Sequence, residues 1–446
     1  MLKDIKKLLP EKPTAKKTPP PIQTVKGMHD ILPDEMRLME RIRAMFLGVA
    51  HAYGFDGIET PVLENVELFT RGVGRATDLV QKQMYTFRTK GGDFVALRPE
   101  NTAGVVRAYY QNGMFNLPQP LKLWYWGPYF RYERQQSGRY RQFHQFGAEI
   151  IGEMNAILDA QLIQLFTVSL KELGITSYTV ELNSIGCKVC RPGYRQALVN
   201  YFRPDARKLC PDCKRRLKES PLRIFECENE KCREIAEKAP QTIDHLCEEC
   251  HNHFKEVLEY LDEIDVPYRL NPKLVRGLDY YTKTVFEVWP EDNPGHALGG
   301  GGRYDNLVEM LGDKIAPAVG FAVGVERLID ELKKIQSPVV RDPSIPTVFL
   351  AQLGELGRKK SLKLFEQLRK AGIRVVESFG RNSIRSQLKV ANREEAAISL
   401  IVGQKEALDN TVIMRDMAAG TQETIPLAKL ISELQKRFGK GEKVLK

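Results

Sequence analysis

The chain has 446 residues, more than one ordinary hydrophobic core can organise, so two or three domains are expected. Hydrophobic residues make up 42% and charged residues 28% of it, which excludes an intrinsically disordered protein, and no apolar run approaches the roughly 20 residues of a membrane helix. Lysine and arginine outnumber aspartate and glutamate by 67 to 57, which favours a polyanionic partner such as nucleic acid without deciding the function.

The first 25 residues are rich in lysine and proline. Such a composition cannot bury a core, so residues 1–25 are predicted to be a flexible basic leader. They also lack the apolar centre of a secretory signal, and a cytoplasmic location is therefore expected.

A helix and a strand are predicted just after this leader. Asp34 stands at the start of the helix, whose apolar residues recur at helical spacing, and Gly54 is placed to end it. The strand is predicted over residues 57–63. Its Pro61 cannot donate a hydrogen bond to a sheet, which favours a position at an edge or an interface.

The stretch from residue 121 to 151 is the most informative part of the sequence. It predicts two strands joined by a polar, basic loop with Arg131 at its base. Because side chains alternate along a strand, Phe143, Gln145 and Glu149 are expected on one face, with about 13 Å between the last two. The loop could hold phosphates or the end of a nucleic acid, although a charged surface hairpin has the same composition.

All eight cysteines lie between Cys187 and Cys250, after a predicted helix over residues 157–173. In a chain without a secretory signal, paired cysteines indicate metal or redox chemistry more than disulfides. Zinc-type spacing predicts one or two Cys₄ zinc ions, with reduced, metal-free thiols as the alternative. His251 and His253 are expected on a helix surface rather than as ligands. The four pairs are Cys187 with Cys190, Cys210 with Cys213, Cys227 with Cys232, and Cys247 with Cys250.

Three later segments combine polar residues or glycines with apolar strands. Residues 274–281 place an arginine, an aspartate and two tyrosines before a strand. Residues 299–305 begin with four glycines, which permit a ligand to approach the backbone closely. Residues 319–329 predict a strand that passes into a helix, with Arg327 at the turn.

A second domain is predicted at the end of the chain. Pro338 and Pro343 mark a linker over residues 336–344. From residue 345 to residue 446, strands alternate with helices, which predicts a small α/β domain.

In this order the segments resemble the three motifs of class II aminoacyl-tRNA synthetases. The first helix with the Pro61 strand resembles motif 1, residues 121–151 resemble motif 2, and residues 319–329 resemble motif 3. Leu97–Thr102 and Val275–Tyr281 are similar to two blocks peculiar to the histidyl-tRNA synthetase family. The resemblance extends from about residue 25 to the end.

The resemblance implies an α+β fold. An antiparallel-sheet catalytic domain would occupy residues 26–335, with a helical, cysteine-rich insertion at residues 187–254, and a small α/β anticodon-binding domain would occupy residues 345–446. The implied function is ATP- and Mg²⁺-dependent attachment of L-histidine to tRNA-His through a histidyl-adenylate, by a homodimer formed through motif 1. Many members of the family lack these cysteines, so the resemblance does not require zinc.

The resemblance also implies roles for residues at the ATP site. Arg131 and Arg276 would be catalytic, because they would neutralise the charge that develops at the α-phosphate. Phe143 would stack on adenine, with Arg327 on the opposite face, and Glu133 would complete the ATP site.

The implied amino-acid and tRNA sites use other residues of the same blocks. Glu149 and Tyr281 would recognise the imidazole, and Glu100, Thr102 and Gln145 would bind the α-ammonium. Tyr280 would belong to the same site. Asn101 stands where the family usually has glycine. The tRNA acceptor end would meet Arg134 and Gln136. The complete histidine-binding set is Glu100, Thr102, Gln145, Glu149, Tyr280 and Tyr281.

Two other functions fit parts of the sequence. One is a non-catalytic synthetase paralogue that regulates histidine biosynthesis, but such paralogues typically lack the last domain and lose catalytic arginines, whereas Arg131, Arg276 and Arg327 all occur here. The other is a general RNA-binding protein, which would explain the positive charge but not the joint occurrence of the histidine-binding residues.

Overall fold

The computed structural model describes residues 22–75, 77–133, 139–291, 296–340 and 347–438. The chain divides into two units, Met1–Arg341 and Asp342–Lys446. Most of the expected leader and residues 341–344 of the expected linker lie outside the described residues. Among the described residues, no helix is both long and apolar enough to cross a membrane.

The first unit combines helices with strands of a large sheet. Its helices are α1 (Pro33–Ala52), α2 (Val66–Phe69), α3 (Thr102–Gln111), α4 (Ile157–Glu172), α5 (Cys190–Phe202), α6 (Pro211–Glu219), α7 (Glu230–Ala236), α8 (Glu248–Glu263), α9 (Leu307–Leu311) and α10 (Val325–Lys334). Its strands are β1 (Asp56–Gly57), β2 (Leu63–Asn65), β3 (Thr86–Arg88), β4 (Phe94–Leu97), β5 (Leu121–Phe130), β6 (Gln142–Ile151), β7 (Tyr178–Ser184), β8 (Tyr268–Leu270), β9 (Thr282–Pro290), β10 (Gly299–Arg303) and β11 (Ala318–Gly324).

Eight strands of this unit form one sheet in the order β1-β5-β6-β11-β10-β9-β7-β8. The pairs β1–β5 and β7–β8 at its two edges are parallel, and the pairs between them are antiparallel. A separate three-stranded sheet has the order β2-β4-β3. The predicted antiparallel catalytic sheet is therefore confirmed, with the two predicted motif 2 strands as β5 and β6.

Alternation along β6 determines which face of the sheet carries the core. Phe146, Ala148 and Ile150 join the hydrophobic core that includes α1, α4, α8 and α10. Within that core the rings of Phe166 and Phe321 stack with centroids 4.8 Å apart. The intervening residues of β6 point to the opposite face, as the period of two requires, and that face is left for a binding site.

Helix α1 follows the sequence prediction closely, but the strand predicted after it is wrong. The helix buries Leu38, Ile42 and Phe46, and Gly54 follows it with a φ of +77°. Residues 57–63 do not form one strand: they are divided between β1, β2 and the extended segment that joins them. Pro61 lies in that joining segment, where no ladder hydrogen bond from its nitrogen is required.

The insertion between β7 and α8 consists mainly of the short helices α5, α6 and α7. Its small core contains Tyr194, Leu198, Phe202 and Ile224, together with cysteine side chains. So few apolar residues bury little surface, which makes a cross-linking metal a natural complement to this core.

The second unit has the predicted α/β pattern and continues beyond it. Strands β12 (Val348–Gln352), β13 (Val375–Glu377) and β14 (Ile398–Val402) are parallel, and β15 (Thr411–Asp416) and β16 (Gln422–Pro426) extend the sheet antiparallel in the order β13-β12-β14-β15-β16. Its helices are α11 (Gly354–Lys370), α12 (Ile384–Arg393), α13 (Gln404–Asp409) and α14 (Leu427–Phe438).

Candidate active site

A cleft of about 930 Å³, including space open to solvent, lies on the face of the large sheet opposite the main core. Strands β6, β9, β10 and β11 and the start of α3 contribute its walls. Ten residues predicted from the sequence line it together. They are Glu100, Thr102, Arg131, Glu133, Phe143, Gln145, Arg276, Tyr280, Tyr281 and Arg327.

Glu149 lies beneath this cleft rather than on its surface, because its side chain is completely buried. Its carboxylate accepts hydrogen bonds from Thr102 Oγ1 at 2.8 Å and from Tyr125 OH at 3.0 Å, and both donors belong to residues that line the cleft. The Tyr304 hydroxyl donates to its other oxygen. The carboxylate fits because β11 has Gly320 at the paired position, where a Cβ atom would lie 1.5 Å from Glu149 Oε2.

The electrostatic state of Glu149 follows from this position. Burial raises the pKa of Glu149 to about 8, although the hydroxyl groups of Tyr304, Thr102 and Tyr125 favour the ionised form. Three donors aimed at one carboxyl group arrange it as a hydrogen-bond acceptor. A ligand that brings a further N–H group would therefore favour the carboxylate over the acid.

Glu100 caps the helix that begins beside it. Its carboxylate accepts hydrogen bonds from the backbone N–H groups of Thr102 at 2.7 Å and Ala103 at 3.1 Å. Burial raises the pKa of Glu100, while these two N–H groups and the charge of Arg131 act against the rise. The Glu100 carboxyl group, held in place at the start of α3, can accept a hydrogen bond from a ligand cation.

Asn101, which stands where the resemblance leads us to expect glycine, is accommodated without backbone strain. Its φ is −116°, in a region that any residue can adopt. Its side-chain Oδ1 accepts a hydrogen bond from Thr60 Oγ1 at 2.6 Å. The backbone therefore does not need glycine here.

Gln145 presents an unused acceptor to the cleft. Within the described residues, its buried Oε1 atom has no hydrogen-bond partner. Tyr280 and Tyr281 line the same region, and the Tyr280 hydroxyl reaches Glu100 Oε2 at 3.5 Å. Because buried polar atoms are normally paired, the free Gln145 oxygen indicates a ligand that donates a hydrogen bond.

Arg131 and Phe143 form a pair at the other end of the cleft. The guanidinium carbon of Arg131 lies 5.2 Å from the ring centroid of Phe143, and its Nε donates to Pro99 O at 2.9 Å. Glu133 Oε1 lies 3.9 Å from Arg131 Nη1. The predicted loop residues Arg134 and Gln136 lie outside the described residues.

Positive charge accumulates around Arg327, which lies in the first turn of α10. Burial lowers the pKa of Arg327, and the guanidinium groups of Arg139 and Arg131 lower it further. Arg327 Nη1 donates to Ala297 O at 2.8 Å. Three neighbouring guanidinium groups repel one another in the empty cleft, so this part of the site suits a polyanion such as a triphosphate.

Arg276 is held by an acidic partner that the sequence did not reveal. Its Nη1 donates to Glu287 Oε1 from β9. Although burial alone would lower the pKa of Arg276, the Glu287 carboxylate and the rings of Tyr281 and Tyr280 keep it raised. The guanidinium therefore stays charged, and its Nε is buried without a hydrogen-bond partner among the described residues.

The glycine run of β10 is required by packing between strands, and the close approach of a ligand to it stays a prediction. A Cβ atom on Gly299 would lie 2.5 Å from Ala322 O of β11, and one on Gly300 would lie 2.5 Å from Phe286 O of β9. Both glycines nevertheless line the cleft. Arg303, at the end of the run, is completely buried and pairs with Asp159.

The eight cysteines form two clusters in which all sulfur atoms lie within 4.8 Å of one another. The hinge site consists of Cys187, Cys190, Cys247 and Cys250, and the tip site consists of Cys210, Cys213, Cys227 and Cys232. The pairing is thus nested, with the first pair joined to the fourth and the second to the third.

The sulfur spacing in both sites fits a tetrahedral ion. Sγ–Sγ distances of 3.8 Å separate Cys187 from Cys190 and from Cys247, and Cys210 from Cys227. Four sulfurs about 2.3 Å from a zinc ion at tetrahedral angles would be about 3.8 Å apart, whereas a disulfide needs about 2.05 Å. Backbone N–H groups also point at the sulfurs, as in Cys247 N to Cys190 Sγ at 3.1 Å.

The expected surface position of both histidines holds for His251 only. His251 is exposed, but His253 is buried, with Nε2 3.4 Å from Asp159 Oδ1. Helix α8 places the two side chains on different faces, and the inner one meets the Arg303–Asp159 pair. Neither belongs to the groups of possible metal ligands found among the described residues.

Several residues of the site were not predicted from the sequence. Tyr125 and Tyr304 donate to Glu149, Glu287 pairs with Arg276, and Arg139 adds charge near Arg327. Glu287 gave a usable signal in the sequence, since it is the one acidic residue of strand β9 and stands between Phe286 and Val288. Tyr125 in β5 and Tyr304 directly after β10 gave no such signal, because aromatic residues in or beside strands usually indicate core packing.

Comparison with known proteins identifies the family. Residues 27–328 match the family profile described as Histidyl-tRNA synthetase. The chain belongs to the histidyl-tRNA synthetase family. Residues 347–437 match a second profile, described as Anticodon binding domain.

Members of this family with similar sequences cover nearly the whole chain. A histidine–tRNA ligase of Dehalococcoides mccartyi is 44% identical over 419 residues, which is 93% of this chain and 100% of the relative. A histidine–tRNA ligase of Desulforamulus reducens is 41% identical and covers 92% of this chain and 98% of its own. Apo histidyl-tRNA synthetase of Staphylococcus aureus is 34% identical, with a TM-score of 0.77 over 92% of this chain and 99% of that one.

The regulatory paralogue is the less favoured alternative. A Bacillus halodurans structure titled as an ATP phosphoribosyltransferase regulatory subunit/histidyl-tRNA synthetase is 23% identical with a TM-score of 0.61, which shows a shared fold alone. The ligases are much more similar in sequence, and Arg131, Arg276 and Arg327 all line the cleft. The chain is therefore an aminoacyl-tRNA synthetase, as the sequence predicted.

Proposed function

We propose that this protein activates L-histidine with ATP and transfers it to tRNA-His. The observation that carries the proposal is the division of one cleft into two chemical halves. One half is rich in guanidinium groups. The other half offers the unpaired oxygen of Gln145 and the carboxylate of Glu100, above the buried carboxyl group of Glu149. A triphosphate fits the first half, and a zwitterion with an N–H-bearing side chain fits the second.

On the ATP side, arginines would hold the phosphates and an aromatic ring would hold the base. Phe143 would stack on adenine, with Arg327 on the opposite face of the base and near the γ-phosphate. Arg131 and Arg276 would contact the α-phosphate, where attack by the histidine carboxylate develops negative charge. Catalysis then consists of positioning and charge neutralisation, without a covalent enzyme intermediate.

On the histidine side, acceptors would bind the α-ammonium and a donor–acceptor pair would read the imidazole. The free oxygen of Gln145 and the carboxylate of Glu100 suit the ammonium group, with Thr102 beside them. Neutral imidazole has one N–H donor and one acceptor nitrogen. Glu149 would accept from the N–H group, and the Tyr281 hydroxyl would donate to the other nitrogen, with Tyr280 packed beside it.

The cleft also has oxygen ligands for magnesium. Glu133 and Glu287 line it near the arginines, and carboxylates and phosphate oxygens are the ligands that Mg²⁺ prefers. The ion would neutralise part of the triphosphate charge when bound. The negative charge of the triphosphate would then be neutralised partly by the metal ion held by Glu133 and Glu287, and partly by the guanidinium groups.

An exchange experiment tests the proposal directly. Purified protein is incubated with ATP, labelled pyrophosphate and each amino acid in turn, and label in ATP is measured. Exchange that depends on histidine alone is expected. Exchange with another amino acid, or with none, contradicts the proposed substrate, and a further assay with tRNA-His transcript measures the transfer step.

The tRNA contacts, the quaternary structure and the location belong to the same proposal. The second unit would bind the anticodon, the loop with Arg134 and Gln136 would meet the acceptor end, and the enzyme would work in the cytoplasm, where tRNA is charged. A homodimer is supported by large apolar side chains exposed on the three-stranded sheet: Leu63, Phe87 and Phe94 are each more than 40% exposed. Light scattering of the purified protein measures the mass.

We also propose that the hinge site and the tip site each bind a structural zinc ion. The support is the tetrahedral sulfur spacing and the small apolar core of the insertion. Metal analysis of protein purified anaerobically without chelator should find one zinc for each site. Protein that is folded and active without bound metal would contradict this part.

A further inference from the structure

The hinge site stands where the insertion leaves and rejoins the catalytic sheet. Its first two cysteines lie between β7 and the start of α5, and its last two begin α8. Just before the first cysteine, Ile185 N donates to Lys283 O at 2.8 Å, and Lys283 N donates to Gly186 O at 3.0 Å. The hinge site therefore adjoins the strand that begins directly after Tyr281.

Arg191, the residue after Cys190, connects the first half of the hinge site to Tyr281. Arg191 follows Cys190, and its backbone N–H donates to Cys187 O at 3.0 Å. Its guanidinium Nη2 donates to the backbone oxygen of Tyr281, and its Nε lies 3.5 Å from Ile185 O. The side chain next to a cysteine thus holds the main chain of a residue that lines the cleft.

The second half of the hinge site holds the same strand two residues further on. Glu249 lies between Cys247 and Cys250, and its Oε1 accepts a hydrogen bond from Lys283 Nζ at 2.7 Å. The Lys283 side chain is only 4% exposed, and its φ of +50° is uncommon for a residue other than glycine. Tertiary contacts must hold such a conformation, and this ion pair is one of them.

We propose that the metal in the hinge site positions the histidine-binding tyrosines. Zinc would fix both halves of the site relative to each other, and Arg191 and Glu249 would transmit that geometry to Tyr281 and Lys283. Both are positioning residues, since neither lines the cleft beside the tyrosines. The inference rests on the proposed function, because Tyr281 must bind the amino acid, and on zinc occupying the hinge site.

Metal is needed because the two halves lie far apart in the sequence. Cys190 begins α5 and Cys247 precedes α8, with the whole insertion between them. Without a shared ion, four thiols offer only weak mutual contacts, and the two helix starts can shift independently. The partners of a metal-binding segment then lose their fixed positions as well.

The tip site reaches the cleft at a different place. From its short helical core, Arg223 Nη2 donates to Gly277 O at 2.9 Å, directly after Arg276. Arg216 also pairs with Asp78 at 2.8 Å. Loss of the tip metal is expected to act on the Arg276 end of the cleft, so only the hinge site should be specific for the histidine end.

Two substitutions at one position provide a matched test. Cys247→Ser removes one ligand of the hinge site, whereas Cys247→His keeps a nitrogen ligand that zinc accepts in place of sulfur. Zinc content, the KM for histidine and the KM for ATP are measured by metal analysis and pyrophosphate exchange, and histidine affinity is also measured by calorimetry without ATP.

The expected results distinguish the loss of the hinge-site metal from a general disturbance of the fold. Cys247→Ser should lose one of the two zinc ions and raise the KM for histidine about tenfold, the factor for one hydrogen bond from a charged donor, while the KM for ATP changes less than about twofold. Cys247→His should keep both ions and a histidine KM near that of the wild type.

A third variant keeps the test decisive if Cys247→Ser does not fold. Arg191→Lys leaves all eight cysteines in place, so it should keep full zinc and still raise the histidine KM, because lysine cannot reproduce the guanidinium contact. An unchanged histidine KM in Arg191→Lys, or in a folded Cys247→Ser that has lost zinc, overturns the positioning role. Wild-type protein without zinc overturns its premise, whereas wild-type protein with zinc but no histidine-dependent exchange contradicts the proposed function instead.

Discussion

The pH dependence of histidine binding should report the ionisation of Glu149. Burial raises the pKa of this carboxyl group from 4.5 to about 8 in the unliganded cleft. If the imidazole N–H donates to Glu149, the ionised form is the one that binds. The KM for histidine should therefore rise about tenfold for each pH unit below about 8, and more steeply below about 6.5, where free imidazole itself becomes protonated.

Glu149→Gln isolates this contribution with little change in volume. The variant loses the charged acceptor, so its histidine KM should be raised about 10- to 100-fold at pH 9, the usual effect of one hydrogen bond to a charged group. It should also lose the inflection near pH 8. Histidine-dependent pyrophosphate exchange measured between pH 6 and pH 9 gives both profiles.

The same substitution has a consequence for stability. Because the folded-state pKa of Glu149 is raised, its contribution is fully present below pH 4.5 and is lost as the pH rises through about 8. The difference between these two values corresponds to about 5 kcal/mol. Unliganded wild type should lose stability relative to Glu149→Gln over this range in urea unfolding. If both the stability difference and the histidine KM ratio are independent of pH, the assignment of Glu149 is refuted.

Three further substitutions test other parts of the cleft and core. Arg276→Lys should lower the exchange rate about 100-fold, because the planar contact with phosphate is lost, whereas a rate within about twofold of wild type would contradict a catalytic role. Gln145→Ala should raise the histidine KM about tenfold with no loss of thermal stability, since its Oε1 has no protein partner within the described residues. Asp159→Asn removes the fully buried carboxylate that pairs with Arg303, which then keeps only Asp305 at 3.1 Å, and should cost about 3–5 kcal/mol in urea unfolding at pH 7, while a cost below about 1 kcal/mol would show that the Arg303–Asp159 pair is dispensable.

The sequence was most predictive where a local pattern has one physical solution. The helix ended by Gly54 and the paired strands of motif 2 have apolar spacing that fits only one element type each. The strand expected over residues 57–63 failed because its apolar residues serve two different sheets on either side of Pro61. A local pattern cannot show which sheet a short segment joins.

The site was predicted in part for a related reason. Residues that line the cleft came from motifs, but their partners came from distant strands. Glu149 meets Tyr304 only because β6 and β10 flank β11 and Gly320 leaves space between them. The pairing of the cysteines was equally hidden, because four C-x-x-C-like pairs allow several combinations and only the folded insertion selects one.

The nested order of the cysteines has a consequence for synthesis on the ribosome. The inner four, from Cys210 to Cys232, are all translated before Cys247 exists, so a zinc ion bound at the proposed tip site would close a short loop early. The four cysteines of the hinge site can come together only after Cys250 has emerged. Tyr280, Tyr281 and strand β9 are translated later still. We expect the nascent chain to mature from the inside of the insertion outward, with the amino-acid pocket assembled on a scaffold that is already cross-linked.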